Sequence, residues 1–201
     1  MILLLAQLSH AQTDTLPRTG RYRFSANPTA LLNVTPALQV EHELFLSENV
    51  IFSLRTGFIF WHSFSEAVSL GYRLRPALKI SLGEYANTDH RIVLFYNYRR
   101  FSTRLESFVD RAGGIYEERI TGMRKSVHKG FGVGYEMEIM DPNRWITLGF
   151  GLGNGNLVNE YSNPELDQGT FWRLPFERAG ENNLPVFYFS VGIGLYQKAL
   201  K

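Results

Sequence analysis

The fold is decided by the stretch Lys129–Asn154, KGFGVGYEMEIMDPNRWITLGFGLGN, whose alternating side chains predict two strands joined by a tight turn. The central Asp141-Pro142-Asn143 supplies the residues that such a turn prefers. One face is mostly glycine with Glu136 and Glu138. The other face is apolar and consists of Phe131, Val133, Tyr135, Met137, Ile139, Ile146, Leu148, Phe150 and Leu152. A solvated face would carry Lys, Thr and Ser, so we expect a closed barrel with its apolar face toward lipid.

Composition excludes several classes of protein. The chain has 201 residues, of which 44% are hydrophobic, 20% charged and 14% aromatic, and this is not a disordered composition. A net charge of +2 with scattered Arg residues argues against nucleic-acid binding. Without Cys there is neither a disulfide framework nor a thiolate site.

The N-terminus predicts export. Residues 2–6 are a short apolar core, and Ser9-His10-Ala11 offers small residues for cleavage before Gln12. We therefore expect a signal peptide at 1–11, a polar connector at 12–20 and a single barrel domain at 21–201. No stretch approaches the roughly 20 apolar residues of a membrane helix.

Alternation predicts about eight strands of roughly 10 residues, the length of a tilted membrane strand. The predicted fold class is all-β, an antiparallel up-and-down transmembrane β-barrel. Connections near Ser47, Gly83 and Asp141 are short, whereas those near Ser63, Gly113 and Glu165 are longer, as in outer-membrane barrels. We further expect a first strand at 21–26 that resumes at 30–34, followed by a short first connection. A turn is expected at 83–89 and a long loop at 158–184. Within 101–127 we expect two strand extensions that meet near Gly113-Gly114.

The glycine-alternating segments GFGVGYEMEI and ITLGFGLGNGN and the closing VFYFSVGIGLY resemble the small eight-stranded outer-membrane β-barrel proteins of the OmpA/OmpX type. The resemblance covers most of residues 21 to 197. It implies an outer-membrane location, lipid as the surrounding partner and contact with the barrel-assembly machinery during biogenesis. We expect a monomer.

The inward face predicts a lumen filled with paired charges, because an eight-stranded barrel is just wide enough for side chains and opposite buried charges must pair. We expect the glycines of the last strands to give room to Arg73, Arg75 and Lys79, with Glu136 and Glu138 as counter-ions. This predicts a structural plug without catalytic, metal-binding or cofactor-binding residues. The predicted lumen network is Glu41, Glu43, Arg55, Arg73, Arg75, Lys79, Arg99, Glu136 and Glu138.

Two other features invite a functional interpretation. The loop segment TFWRLPFER at 170–178 offers contact residues for a partner or lipid headgroups, namely Phe171, Trp172, Arg173 and Phe176. His62-Ser63 resembles the His and Ser of eight-stranded lipid A deacylases, but that family has Ser two residues after His and position 64 is Phe.

We therefore expect an outer-membrane barrel with a structural or surface-binding role. The main alternative is a soluble exported barrel of lipocalin type, with the apolar face inward around a small apolar ligand. His42, Thr56 and Pro76 favour it, because the first two interrupt the presumed lipid face and Pro76 removes a ladder donor. A lipid A-modifying enzyme is a third alternative.

Overall fold

The computed structural model describes residues 21–32, 37–60, 69–85, 87–141, 144–167 and 180–199. Eight strands pair with their neighbours along the chain and the last pairs with the first, giving a closed antiparallel barrel. The predicted all-β, up-and-down architecture of eight strands is therefore confirmed. The strands are β1 Arg21–Ala26, β2 Ala37–Phe45, β3 Val50–Ile59, β4 Ser69–Tyr85, β5 Thr88–Arg111, β6 Tyr116–Asp141, β7 Arg144–Tyr161 and β8 Gly180–Ala199.

The register fixes the tilt of the strands. Successive paired residues lead from Tyr22 on β1 round to Phe187 on β8, passing through Leu44, Phe52, Leu78, Leu94, Val133 and Leu152. Tyr22 itself pairs with Lys198, so the ring closes with an offset of eleven residues along β8 (198 minus 187), one of which belongs to the irregularity beside Phe24. An offset of about ten residues over eight strands tilts them by roughly 40°.

Short and long connections lie at opposite ends of the barrel. The short ones join β2 to β3, β4 to β5 and β6 to β7, as predicted. The first connection is longer than predicted. β1 ends at Ala26 and β2 begins at Ala37. A 3-10 helix over Pro28–Leu32 includes residues 30–32, the described part of the segment 30–34 where the strand was expected to resume. That helix also supplies a partner for β8, because Thr29 Oγ1 accepts a hydrogen bond from the Val191 amide at 3.0 Å.

Strands β5 and β6 extend far beyond the barrel wall. Their pairing continues to Arg111 and Tyr116, whereas the described pairing of β4 with β5 stops at Thr103 and that of β7 with β6 at Arg124. The predicted extensions within 101–127 are confirmed, and the turn between them contains Gly113-Gly114 with φ of 71° and 90°, a conformation that glycine adopts without strain.

Two predicted loops were too long. The turn expected at 83–89 contains strand residues at both ends, since β4 reaches Tyr85 and β5 begins at Thr88. The loop expected at 158–184 is narrower, because β7 continues to Tyr161 and β8 begins at Gly180. Alternation is weak in these segments because they extend past the apolar band, where neither face has to be apolar.

The barrel is polar inside and apolar outside. Charged side chains such as Lys79, Arg91 and Glu136 are 0–1% exposed, whereas outward side chains such as Phe131 and Phe187 are 71% and 68% exposed. Two of the residues that favoured a soluble barrel, His42 and Pro76, are accommodated locally. His42 Nδ1 forms a hydrogen bond with the Tyr22 hydroxyl. Pro76 lies where the pairing with β5 passes from Leu74 directly to Ala77, so no ladder donor is required of it.

Candidate functional site

The most distinctive chemical feature is an ion-pair cluster at the short-turn end of the lumen. Lys79 on β4 is its centre, and its Nζ lies 2.6 Å from Glu43 Oε1, 2.7 Å from Glu136 Oε1 and 3.0 Å from Glu41 Oε1. These carboxylates come from β2 and β6, on different sides of the barrel. A single ammonium therefore ties three strands together through the lumen.

Three arginines complete this cluster. Arg91 bridges two carboxylates, with Nη1 2.8 Å from Glu138 Oε2 and Nε 2.8 Å from Asp89 Oδ2. Arg23 pairs with the other oxygen of Glu138, and Arg55 pairs with Glu41. We call this set the lower ion cluster. Among the described residues it comprises four cations and five carboxylates, namely Arg23, Arg55, Lys79, Arg91, Glu41, Glu43, Asp89, Glu136 and Glu138.

An aromatic layer lies above the lower ion cluster. The Arg75 guanidinium lies 3.9 Å from the ring centroid of Tyr188 and 5.8 Å from that of Phe95, and the two rings meet edge to face at 5.0 Å. A Cβ placed on Gly134 or Gly151 would overlap the Tyr188 ring. The glycines therefore make room chiefly for an aromatic side chain, and the prediction that they accommodate Arg73, Arg75 and Lys79 directly was wrong.

A third layer lies nearer the long connections. Arg73 and Arg99 are cross-strand partners on β4 and β5, and Arg124 is an electrostatic neighbour of Arg99. The neutral polar groups here pair across strands. Asn97 Nδ2 lies 3.3 Å from His128 Nδ1, and the Ser69 and Thr103 hydroxyls lie 2.6 Å apart.

The predicted lumen charges therefore separate by height. The lower ion cluster unites six of them, which are Glu41, Glu43, Arg55, Lys79, Glu136 and Glu138. Arg75 instead stacks on aromatic rings, and Arg73 and Arg99 are cross-strand partners in the upper layer, so the predicted charges do not all meet at one height. The predicted loop contacts Phe171, Trp172, Arg173 and Phe176 and the His62-Ser63 pair lie outside the described residues.

Sequence reasoning missed three members of the lower ion cluster: Arg23, Asp89 and Arg91. Arg23 lies between Tyr22 and Phe24, and Arg91 lies between His90 and Ile92. Both therefore occupy inward positions of their strands, and this signal was available in the sequence. Asp89 was hidden because it was assigned to a turn. It is instead a buried strand residue that also accepts a hydrogen bond from the Ser81 hydroxyl.

The carboxylates of this arrangement are engaged in ion pairs. Each of Glu41, Glu136 and Glu138 contacts at least two cationic groups and is 3% exposed or less. Within the described ranges no group of three or more His, Asp or Glu side chains is arranged to hold a metal ion.

A second set of ion pairs lies on the β5–β6 extension, outside the barrel. Arg111 bonds Glu118 on β6 at 2.7 Å and Glu165, in a 3-10 helix over Pro164–Asp167, at 2.8 Å. The hydrogen bond from Arg111 lowers the pKa of the Glu165 carboxyl. Beside them Leu166 of the same helix is buried against Leu105 and Ile120, so the helix covers the inner face of the extension.

None of the described helices has the length and apolar character needed to cross a membrane. Comparison with protein-family models, with curated proteins and with solved structures found no match for this chain.

Proposed function

We propose that this chain is an outer-membrane β-barrel protein without catalytic activity, which displays the β5–β6 extension on the side of its long connections. The observation that carries the proposal is the inverted polarity of the barrel. Charges are buried inside, and a ring of apolar side chains runs round the outside through Leu78, Leu94, Val133, Leu152 and Phe187. Such a surface is unfavourable in water and suits the hydrocarbon core of a bilayer.

The height of the apolar band supports the proposal. On β6 the outward apolar residues run from Ile139 to Phe131. At about 3.3 Å per residue and a tilt of about 40°, this segment spans a height of roughly 20 Å along the barrel axis. That height is close to the apolar band of about 25 Å in outer-membrane barrels. Tyr135 and Tyr96 lie in the same band, and Tyr72 and Tyr98 lie above it.

The soluble lipocalin alternative requires the opposite polarity. Its ligand would lie among apolar side chains inside the barrel, yet the interior holds the lower ion cluster and the guanidinium of Arg75. The lipid A-modifying alternative gains no support from the described residues, where the buried carboxylates are engaged with cations.

A lumen filled by side chains favours an anchor over a pore. Lys79 contacts carboxylates from β2 and β6, and Tyr188 lies across the glycines of β6 and β7 just above it. The extension above this plug ends in exposed apolar side chains, with Ile115 82% and Tyr116 57% exposed. Exposed apolar residues on a rigid hairpin suit a surface-binding role.

Fractionation tests the proposal. We expect the protein in the outer-membrane fraction, with a folded species that migrates faster on an unheated gel than after boiling. We also expect no stepwise conductance in planar bilayers, because the lumen is plugged. A protein that stays soluble without detergent would contradict the membrane assignment, and regular conductance steps would contradict the plug.

A further inference from the structure

A row of four basic side chains lies on the outward face of β5 and β6, just above the apolar band. Arg100 and Arg104 come from β5 and Lys125 and Lys129 from β6, and all four are exposed. We call this set the cationic rim. Its members face away from the lumen, because they alternate with the buried residues Phe101, Thr103, Arg124 and His128.

The register makes the cationic rim a continuous strip. Arg100 is paired with Val127, so Lys125 and Lys129 are its two diagonal neighbours on β6. Arg104 is paired with Met123 and is therefore the other diagonal neighbour of Lys125. Diagonal neighbours lie about 7–8 Å apart, within the span of long side chains. The four charges thus follow one another as Lys129, Arg100, Lys125 and Arg104.

The cationic rim differs from the charges above it on the same hairpin. There Arg119 pairs with Glu106 and Arg111 with Glu118, as expected of a solvated surface. No member of the rim forms an ion pair with a described residue. The nearest acidic group by register is Glu160, the cross-strand partner of Lys125. The strip therefore keeps a net positive charge.

Its height matches the edge of the band. From Ile92, where the outward apolar residues of β5 begin, to Arg100 the strand rises roughly 20 Å at a tilt of about 40°. Arg100 is also the cross-strand partner of Tyr72, whose ring lies 5.9 Å from that of Tyr98. Tyrosines at this height are typical of the interface between hydrocarbon and headgroups.

We propose that the cationic rim binds the phosphate groups of a phosphorylated lipid in the leaflet on the side of the long connections. This inference rests on the proposed membrane location. Arg and Lys are suited to phosphate because both supply charged donors, and Arg binds two oxygens at once. On β7 the outward residues in register with the rim are Asn156, Val158 and Glu160, so the row of cations does not continue onto that strand.

Lipid retention tests this inference on the full chain. Folded protein in nanodiscs is given an equal mixture of diphosphorylated lipid A and its dephosphorylated form, and the lipids that stay bound after detergent extraction are quantified by mass spectrometry. The rim variant is Arg100→Gln with Lys125→Gln. The matched control is Arg111→Gln with Arg119→Gln, which removes the same charge from the same hairpin. A parallel sample contains inorganic phosphate as competitor.

We expect the wild type and the control to prefer the phosphorylated form, and the rim variant to lose roughly 20- to 30-fold of that preference. The charge-preserving variant Arg100→Lys with Lys125→Arg should keep the preference for the phosphorylated lipid. If the double Gln variant fails to fold, the single variant Lys129→Gln tests the same site and should reduce that preference. Equal preference in rim variant and control would overturn the inference while leaving the membrane proposal intact. Loss of preference in the presence of inorganic phosphate would show a site for free phosphate and would also overturn it. Protein that never enters nanodiscs would overturn both proposals.

Discussion

The lower ion cluster and the ion pairs of the β5–β6 extension use the same chemistry in opposite surroundings. Lys79 Nζ lies 2.7 Å from Glu136, and Arg111 Nε lies 2.7 Å from Glu118. The first pair is 1% exposed on both sides, whereas the side chains of the second are 32% and 50% exposed. Distance is the same, so burial decides what each pair contributes.

Burial makes the Lys79–Glu136 pair costly to break. The exposed Arg111–Glu118 pair changes the free energy of unfolding little. Exposed pairs contribute about 0–1 kcal/mol, because water screens the charges and solvates them when they separate. A buried charge that loses its partner has no such solvation, and the cost is about 3–5 kcal/mol. The lower ion cluster therefore fixes the relative positions of β2, β4 and β6, while the outer pairs adjust a surface.

The largest effect is expected for Lys79→Met. Glu41, Glu43 and Glu136 would then face one another without their shared ammonium, and we expect the free energy of unfolding to fall by about 3–5 kcal/mol. Urea titration of the barrel in lipid vesicles, followed by the unheated-gel shift, measures it. Arg119→Met is the control and should change the free energy by less than about 1 kcal/mol. Equal effects of the two variants would refute the comparison.

A smaller effect is expected for Gly151→Leu, which tests the aromatic layer. The new side chain would overlap the Tyr188 ring, and overpacking of this kind costs about 1–3 kcal/mol. The same urea titration applies. Adding Tyr188→Ala should restore part of the stability, because it vacates the space. If Gly151→Leu proves neutral, the lumen has more free volume than a plug allows. Gly132→Leu is harsher, since it also approaches the backbone of β7.

The excess of carboxylates in the lower ion cluster predicts a milder result for Glu43→Gln. This change keeps the shape of the side chain and brings the described members of the cluster to four cations and four carboxylates. Lys79 retains Glu41 and Glu136 as partners. We expect a change of about 1 kcal/mol, the scale of one hydrogen bond. A loss as large as that of Lys79→Met would mean that Glu43 is as indispensable as the ammonium itself.

Sequence alternation predicted which charges point inward but could not predict which of them meet. Arg75 and Lys79 lie on the same face of β4, yet four residues along a strand tilted by about 40° differ in height by roughly 10 Å. One therefore reaches the Tyr188 ring and the other reaches Glu136. Height depends on the register between strands, which a period of two leaves open.

The same limit explains the missed residues. Asp89 was hidden because the expected turn at 83–89 ran two residues into β5. The glycines were matched to Arg and Lys side chains because alternation does not give the register, which pairs Gly151 with Tyr188 on the neighbouring strand. The extensions of β5 and β6 were expected only in outline. Their inner face is covered by Leu166, which lies more than forty residues along the chain from Ile120. Contacts of that separation leave no local signal in side-chain alternation.

The smallest effect is expected from pH at the exposed end of the comparison. Because the Arg111 hydrogen bond lowers the pKa of Glu165, this contact favours the folded arrangement above the ordinary carboxyl pKa and is lost as pH falls through the lowered value. We expect amide exchange in the 3-10 helix Pro164–Asp167 to accelerate in that acidic range, beyond the intrinsic change, while β2 and β6 stay protected. In Glu165→Gln the protection should be lower at neutral pH and lack this pH dependence. If the protection of the helix depends on pH in the same way in the wild type and in Glu165→Gln, then Leu166 packing alone holds the helix on the hairpin.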